Sequence, residues 1–360
     1  LKPFWQKVQS RAHWGRHQRN TMAARGSLTD TLLGRRKATA SDAQPQRPFL
    51  LAVCLVAFVA SGVSQPLTMS AVKLAGLGDT TCQLYMLPYY LGMACTGLLG
   101  LFMPRVRWGN LPLHRCVLIA LVDIVSQVLN YSGNMRAGSA IFAVIYASVT
   151  VWSAVFSRIF LQRVLSLEQW AAVIVVFLGL ALTGIGARSH GAHVLEGACM
   201  VFVGSALHAV AYVLSELVSV KGDRVPPHIN CCVQALTASV LVGTWQVSYT
   251  AGNWDKIALP MEAAGTSGGT VAALALSLAI GNFVHAATFF YLLAWIGAVS
   301  AGVMKGLQAG LVFVLAHIFY CKHDPSQCFC PAKVASLVMV VTGVLVYTYA
   351  TALSGAGKQH

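Results

Sequence analysis

A single lysine, Lys305, lies inside the apolar run SAGVMKGLQAGLVFVLAHIF, which extends from Ser300 to Phe319. A lysine at the centre of a membrane helix costs about 2.5–3.5 kcal/mol on insertion scales, and ionisable residues at such depth usually mark the path of a substrate or an ion. Its ammonium could bind an anionic substrate or pair with a buried carboxylate. It could instead extend through lipid to the headgroups, but a depth of about 12 Å exceeds the reach of the side chain, which is about 6 Å.

The candidate carboxylate is Asp123, because it and Lys305 each lie eight residues from the cytoplasmic start of a predicted apolar segment. An ion pair between them would lower the cost of burying both charges. Alternatively, Lys305 binds an anionic group of a substrate while Asp123 takes up a proton or a cationic group. The sequence leaves these alternatives open.

Further polar side chains recur at helical spacing. Asp123 is followed by Gln127 and Asn130, four and three residues apart, as on one face of a helix. Lipid would leave such a face without hydrogen-bond partners, so it must face protein or water. We interpret these side chains as the lining of a binding cavity, and the neighbouring serines and threonines as contacts between helices. The predicted substrate-binding residues are Lys305, Asp123, Gln127, Asn130, Tyr146, His208, Asn282 and His285.

The composition indicates which elements must position these residues. Of the 360 residues, 56% are hydrophobic and 10% are charged, whereas soluble domains carry about 25% charged residues. The chain is therefore predicted to be an all-α, multi-pass membrane protein with spans of about 20 apolar residues each. Ten spans are predicted, at 49–67, 83–103, 115–133, 138–157, 169–187, 195–216, 231–250, 270–293, 297–319 and 333–353.

The basic residues are distributed unevenly between the two sides of these spans. Ten spans place both termini on one side together with 18 basic residues, against six on the other side. The positive-inside rule then predicts cytoplasmic termini, and the net charge of +14 requires no nucleic-acid partner. Residues 1–47 are predicted to be a basic, disordered cytoplasmic tail, with a transit peptide as the alternative. An endomembrane location (Golgi, endoplasmic reticulum or vacuole) is favoured, and a plastid or mitochondrial membrane is the alternative.

An internal repeat divides the predicted spans into two groups of five. The segment GSAIFAVIYASVTVWSAVFSRIF aligns with GAVSAGVMKGLQAGLVFVLAHIF at an offset of 159 residues, which places Tyr146 opposite Lys305. The same offset brings Asp123 onto Asn282. Two groups of five spans have opposite orientations in the membrane, which is typical of transporters with a binding site between the halves. The predicted units are two five-helix repeats, 48–190 and 191–353, and a C-terminal tail, 354–360.

With this repeat, the sequence resembles the drug/metabolite transporter superfamily, and within it the nucleotide-sugar, solute-carrier-thirty-five-like branch with its F-type members. Segments 123–170 and 281–306 carry the resemblance, which extends over about residues 48–351. It implies a central cavity lined by spans one to four and six to nine, with spans five and ten outside. In the sugar-phosphate and nucleotide-sugar branches, span nine often carries a lysine that meets the substrate's phosphate, and Lys305 matches its position. Gly306 replaces the arginine that follows this lysine in sugar-phosphate translocators.

These features predict a secondary active transporter of a small organic metabolite with an anionic group, such as a nucleotide sugar or sugar phosphate. Transport would proceed by exchange or by proton-coupled alternating access. A carrier of amines, drugs or neutral metabolites that binds through Asp123 is an alternative, and so is an accessory membrane subunit without transport activity. The sequence predicts no enzyme site, metal site or cofactor. The expected partners are the small-molecule substrate and the lipid bilayer, in a monomer or homodimer.

Three of the ten cysteines lie in the segment CKHDPSQCFC, between the last two predicted spans. If this loop faces an oxidising lumen, Cys321 can form a disulfide with Cys328 or Cys330. Free thiols are the alternative, since the spacing C-x6-C-x-C matches no strong zinc pattern.

Overall fold

The secondary structure is helical throughout the part of the chain that the structure describes, which confirms the prediction of an all-α protein. The predicted tail 1–47 lies outside the described residues, as do residues 357–360 of the predicted C-terminal tail. The computed structural model describes residues 48–102, 112–161, 165–189, 191–218 and 225–356. The α-helices are α1 (Pro48–Leu74), α2 (Met86–Ala94), α3 (Leu113–Ala137), α4 (Ser139–Tyr146), α5 (Val149–Leu161), α6 (Leu167–Ser189), α7 (Ala192–Glu216), α8 (Pro227–Trp245), α9 (Asp255–Ala263), α10 (Gly268–Tyr320) and α11 (Pro331–Ala356).

Eight helical segments among the described residues are long and apolar enough to cross a membrane. Two further apolar segments are shorter, Met86–Leu101 and Met304–Tyr320. The first of these continues α2 through a 3-10 helix, Cys95–Phe102. Large aliphatic side chains on the outer faces are exposed, such as Val56 at 69% and Leu118 at 55%. Such exposure suits a surface in contact with lipid, so the chain has the character of a multi-pass membrane protein.

α10 is continuous over 53 residues, where two separate spans were predicted. A straight helix of this length would extend about 80 Å, far beyond the thickness of a hydrocarbon core, about 30 Å. The ring of His285 stacks on Phe58 at 4.6 Å, yet Lys305 Nζ lies 5.7 Å from the same Phe58 ring. Twenty residues of straight helix would separate His285 from Lys305 by about 30 Å, so the chain must reverse direction between them. We refer to Gly268–Phe289 as the first arm of α10 and to Met304–Tyr320 as the second arm.

A glycine lets α3 and α7 approach closely beside the predicted polar face of α3. A Cβ at Gly204 would lie 2.6 Å from Asn130 Oδ1, so no larger side chain fits without a shift. Ser126 Oγ donates a hydrogen bond to the Gly204 carbonyl oxygen at 2.9 Å. Small residues permit this kind of close contact between membrane helices. The approach brings His208 of α7 next to Asp123 of α3.

The loop between α10 and α11 closes one end of the bundle, and we name this region the capped end. Gln327 is 2% exposed, and its Oε1 accepts hydrogen bonds from Ser139 Oγ and from the Ala140 N–H, both at 3.1 Å. Lys73 Nζ, near the end of α1, donates to Asp324 Oδ2 at 2.8 Å. The capped end therefore ties this loop to α1 and to the first turn of α4.

Candidate functional site

Lys305 lies between two aromatic rings. Its Nζ is 5.7 Å from the ring centre of Phe58 on α1 and 5.5 Å from that of Tyr146 at the end of α4. Among the residues that the structure describes, none forms a salt bridge with Lys305 or accepts a hydrogen bond from it. Ring faces attract an ammonium, but a desolvated cation–π contact contributes only about 2 kcal/mol. The described residues thus hold this ammonium without a counter-charge in direct contact.

Asp123 pairs with His208 and not with Lys305. His208 Nδ1 lies 2.9 Å from Asp123 Oδ1, and the two residues are only 5% and 7% exposed. Gln127 Nε2 lies 3.3 Å from the same ring nitrogen. The ion pair between Lys305 and Asp123 that the sequence suggested is not formed, because the close approach of α7 places an imidazole against the carboxylate.

Aromatic side chains connect Lys305 to the Asp123–His208 pair through a closed circuit of ring contacts, which we name the cage. Lys305 completes the circuit through its two ring contacts. Lys305 itself stays partly accessible although it lies in an apolar helix. In order of contact the cage members are Phe58, Phe289, Tyr212, His208 and Tyr146, with successive ring centres 6.1, 6.1, 4.3 and 5.7 Å apart.

Asn282 and His285, both on the first arm of α10, form a second polar group next to the cage. Gln65 Nε2 of α1 donates to Asn282 Oδ1 at 3.4 Å, and Asn282 Nδ2 donates to the Tyr89 carbonyl oxygen at 2.9 Å. His285 Nδ1 lies 3.3 Å from Ser61 Oγ, and its ring stacks on a member of the cage. The structure thus brings these two predicted residues to the edge of the Lys305 environment.

Asn130 takes no part in the cage, although it shares a helix face with Asp123. Its side chain is 1% exposed, and Nδ2 donates to Ser126 Oγ at 3.3 Å. Its Oδ1 lies against Gly204 and has no hydrogen-bond partner among the described residues. Asn130 therefore belongs to the contact between α3 and α7.

Three members of the cage were not among the predicted binding residues: Phe58, Tyr212 and Phe289. Tyr212 follows His208 by four residues, so the helical period places both on one face. Phe58 and Phe289 lie in apolar surroundings, where a phenylalanine gives no sign of whether it faces lipid or a cavity.

His317, Cys321 and Cys328 offer potential metal-ligand atoms within 4.8 Å of one another, next to the capped end. Cys321 and Cys328 are joined in a disulfide, so their sulfurs are not thiolate ligands, whereas Cys330 is a free thiol. His317 Nδ1 accepts a hydrogen bond from the Phe329 N–H at 3.3 Å. In this state the group stabilises the loop of the capped end.

Comparison with known proteins shows similarity at the level of fold. No family model and no curated protein matches the chain, but 18 chains of solved structures do. One of these, described only as "Crystal structure of protein", aligns with a TM-score of 0.51 at 15% sequence identity. The alignment covers 82% of this chain and 98% of that chain. At this identity the likeness shows a shared fold and says nothing about activity.

Proposed function

We propose that this chain is a secondary active transporter that moves a small organic metabolite with an anionic group, of the nucleotide-sugar or sugar-phosphate type. In this proposal the eight long segments and the two shorter apolar segments make ten spans, arranged as two inverted five-helix repeats of the drug/metabolite transporter kind. Both termini face the cytoplasm, and an endomembrane holds the protein. Since the sequence carries no ATP-binding motif, exchange or a proton gradient drives alternating access.

Equivalent contacts in the two halves support the proposed repeat. In the first half, Asp123 of α3 meets His208 of α7. In the second half, Asn282, at an offset of 159 residues from Asp123, meets Gln65 of α1. Counted as spans, these contacts join three to six and eight to one. A five-span repeat makes span three equivalent to span eight and span six equivalent to span one. The contact between spans three and six is therefore equivalent to the contact between spans eight and one.

The observation that carries the proposal is the environment of Lys305 compared with that of Lys333. Lys333 is buried, at 3% exposed, and its Nζ donates hydrogen bonds to the carbonyl oxygens of Ser326 and Cys328 at 2.8 and 3.1 Å. These bonds account for Lys333 as a structural residue of the capped end. Lys305 is half-buried and has only ring faces among the described residues, so no described group accepts a hydrogen bond from its ammonium or balances its charge. An anionic ligand would supply the missing counter-charge.

The groups around Lys305 fit a metabolite that combines an anion with planar or hydrogen-bonding parts. The ammonium has three donors for a phosphate or carboxylate oxygen. Tyr146 and Tyr212 add partly accessible aromatic rings, and Gln127 adds a buried amide beside the Asp123–His208 pair. Because Gly306 replaces a second cation, the site suits one anionic group better than a doubly charged one.

The proposal is tested by uptake into proteoliposomes containing the wild type, Lys305→Ala or Lys322→Ala. Lys322 is exposed at the capped end, so its variant controls for the loss of a lysine as such. The panel holds nucleotide sugars, sugar phosphates and organic amines, each with and without an inward proton gradient. Size-exclusion profiles and unfolding temperatures are compared first, so that only folded variants enter the assay.

Saturable uptake of an anion that Lys305→Ala loses and Lys322→Ala retains is the expected result. Uptake of an amine that survives Lys305→Ala but requires Asp123 would overturn the substrate class. An anion whose uptake is the same in all three proteins would remove Lys305 from the site.

A further inference from the structure

The contacts of His208 define where a proton can reside inside the bundle. Its Nδ1 lies 2.9 Å from Asp123 Oδ1, which is an acceptor, and 3.3 Å from Gln127 Nε2, which is a donor. With a proton on Nδ1, the imidazole donates to Asp123. With Nδ1 unprotonated, the same atom accepts from Gln127 or from a protonated Asp123. The three side chains therefore accommodate different protonation states without changing their positions.

The number of protons on Asp123 and His208 changes the charge of a buried site. With one added proton the pair is neutral overall, either as carboxylate and imidazolium or as carboxylic acid and imidazole. Without that proton the pair carries one negative charge, and neither residue is more than 7% exposed. An uncompensated buried charge is costly, so the unprotonated pair requires a nearby cation.

Lys305 is the cation placed to compensate it, across the ring of Tyr146. Lys305 Nζ lies 5.5 Å from the Tyr146 ring centre, and the His208 ring centre lies 5.7 Å from it, so the two groups are at most about 11 Å apart. At this distance and an effective dielectric constant of about 20, one unit charge changes the binding of another by about tenfold. A negative pair attracts the ammonium and repels an anion, whereas a neutral pair leaves Lys305 to the anion.

We propose that Asp123 and His208 together bind one transported proton, and that this proton crosses the membrane in the same direction as the anion bound at Lys305. This inference rests on the proposed transport function and selects proton symport over exchange. Proton and anion favour each other's binding because each removes the charge that opposes the other, and such coupling is reciprocal.

The other titratable groups that face the pair are phenols, a thiol, an imidazole and the ammonium already described. The phenols and the thiol are uncharged near pH 7. Tyr90 is 1% exposed, and its hydroxyl has no hydrogen-bond partner among the described residues. It can donate to the Asp123 carboxylate once the proton has left. The facing groups are Tyr89 and Tyr90 of α2, Tyr131 of α3, Tyr146 of α4, Tyr212 of α7, Cys231 of α8, and His285 and Lys305 of α10.

The first experiment follows the proton without any substrate. Infrared difference spectra of the full chain in lipid, between pH 5 and pH 9, report both carboxylic acid and imidazolium bands. We expect a one-proton transition that is lost in Asp123→Asn and in His208→Gln and retained in Asp324→Asn, which removes a carboxyl at the capped end. If the wild type shows no transition that depends on Asp123 or His208, the proton site is wrong.

The second experiment measures coupling in proteoliposomes that contain a pH-sensitive dye. Inorganic phosphate, a hexose phosphate and a nucleotide sugar are added in separate arms, and anion uptake is compared with internal acidification. We expect about one proton per anion in the wild type, and a ratio at least tenfold lower in either variant of the pair. Anion uptake without acidification in the wild type would overturn the symport while leaving the proposed transport function intact. If none of the three anions enters, the transport function fails for them, and the infrared result still decides the proton site.

Discussion

In the proposed repeat, the two halves of the chain differ at two equivalent positions in the middle of the bundle. Asp123 in the first half corresponds to Asn282 in the second, and Tyr146 corresponds to Lys305. The first half therefore carries an acid and a phenol, whereas the second carries an amide and an ammonium. Asp123 pairs with His208 of α7, and Asn282 accepts a hydrogen bond from Gln65 of α1; the proposed repeat makes α7 and α1 equivalent.

This difference separates two kinds of binding on one scaffold. An acid against an imidazole can hold a proton, and an amide against an amide cannot. An ammonium over ring faces can bind an anion, and a phenol cannot balance a full negative charge. In the proposed transporter both contacts lie between equivalent helices, so a rocking motion that exchanges the conformations of the halves would act on both sites at once. Substitutions that make the halves alike test whether the difference matters.

The largest effect is expected when Lys305 is replaced by the residue at its equivalent position. Lys305→Tyr removes the ammonium and keeps a ring that can pack against Phe58. Loss of a charged hydrogen-bond donor to an anion costs about 1.5–3 kcal/mol, so kcat/KM for anion uptake should fall by about 10- to 100-fold. Initial rates of uptake into proteoliposomes provide the measurement.

Thermal unfolding distinguishes lost binding from lost folding in that variant. Among the described residues none accepts a hydrogen bond from Lys305, so Lys305→Tyr should leave Tm unchanged or raise it. Lys333→Met is the matched control, because it deprives the Ser326 and Cys328 carbonyl oxygens of their donor and should lower Tm. A larger loss of Tm in Lys305→Tyr than in Lys333→Met would assign Lys305 a structural role.

The next effect concerns the amide of the second half. Asn282 Nδ2 donates to the Tyr89 carbonyl oxygen at 2.9 Å, so Asn282→Asp places a carboxylate oxygen against that carbonyl. An unsatisfied buried polar group costs about 1–3 kcal/mol, and the free energy of unfolding in detergent should fall by about that amount. Gln65→Leu loses only a bond of 3.4 Å and should cost less. If Asn282→Asp is as stable as the wild type, the second half tolerates an acid at this position as well as the first half does. The amide of Asn282 would then not be required by the structure.

The helical period and the repeat were enough to group the polar residues of the centre, but not to choose their partners. Asp123 and Gln127 share one face of α3 by spacing alone, and the offset of 159 residues paired Tyr146 with Lys305 before any contact was known. The partner of Asp123 depends instead on how closely α7 approaches α3. Gly204 permits that approach because it has no side chain, and spacing along the sequence does not reveal it. The apolar length of this region predicted two spans. The structure assigns one continuous helix, α10, whose contacts require the chain to reverse direction.

A smaller effect should follow from removing one ring face beside Lys305. Tyr146→Leu deletes a cation–π contact worth about 0.5–2 kcal/mol, and should raise KM for the anion by about 2- to 30-fold because Lys305 loses part of its positioning. Tyr146→Phe retains the ring and should change KM by less than about twofold. If the Phe variant is as impaired as the Leu variant, the hydroxyl and not the ring is the important part of Tyr146.

The smallest effect concerns Asp324, a carboxylate at the capped end that serves as a reference for Asp123. Burial by itself would raise the pKa of Asp324, but hydrogen bonds from Lys73 and Ser326 outweigh it and lower the pKa below its usual range. A carboxyl with a lower pKa in the folded than in the unfolded chain stabilises the fold above the unfolded pKa, about 4, and loses that contribution as the pH falls through the folded pKa.

Because the pair with Lys73 is partly exposed, with side chains 39% and 20% accessible, its contribution should be at most about 1 kcal/mol. Asp324→Asn should therefore lower the free energy of unfolding slightly at pH 7, and this effect should disappear as the pH falls through the folded pKa of Asp324. Asp123→Asn should change the stability over a different pH range, since the proposed proton is shared between Asp123 and His208. The free energy of unfolding of both variants, measured as a function of pH, shows whether the two carboxylates differ. If Asp123→Asn differs from the wild type only in the acid range of Asp324→Asn, then Asp123 behaves as an ordinary structural carboxylate, and the chemical difference between the halves reduces to Lys305 alone.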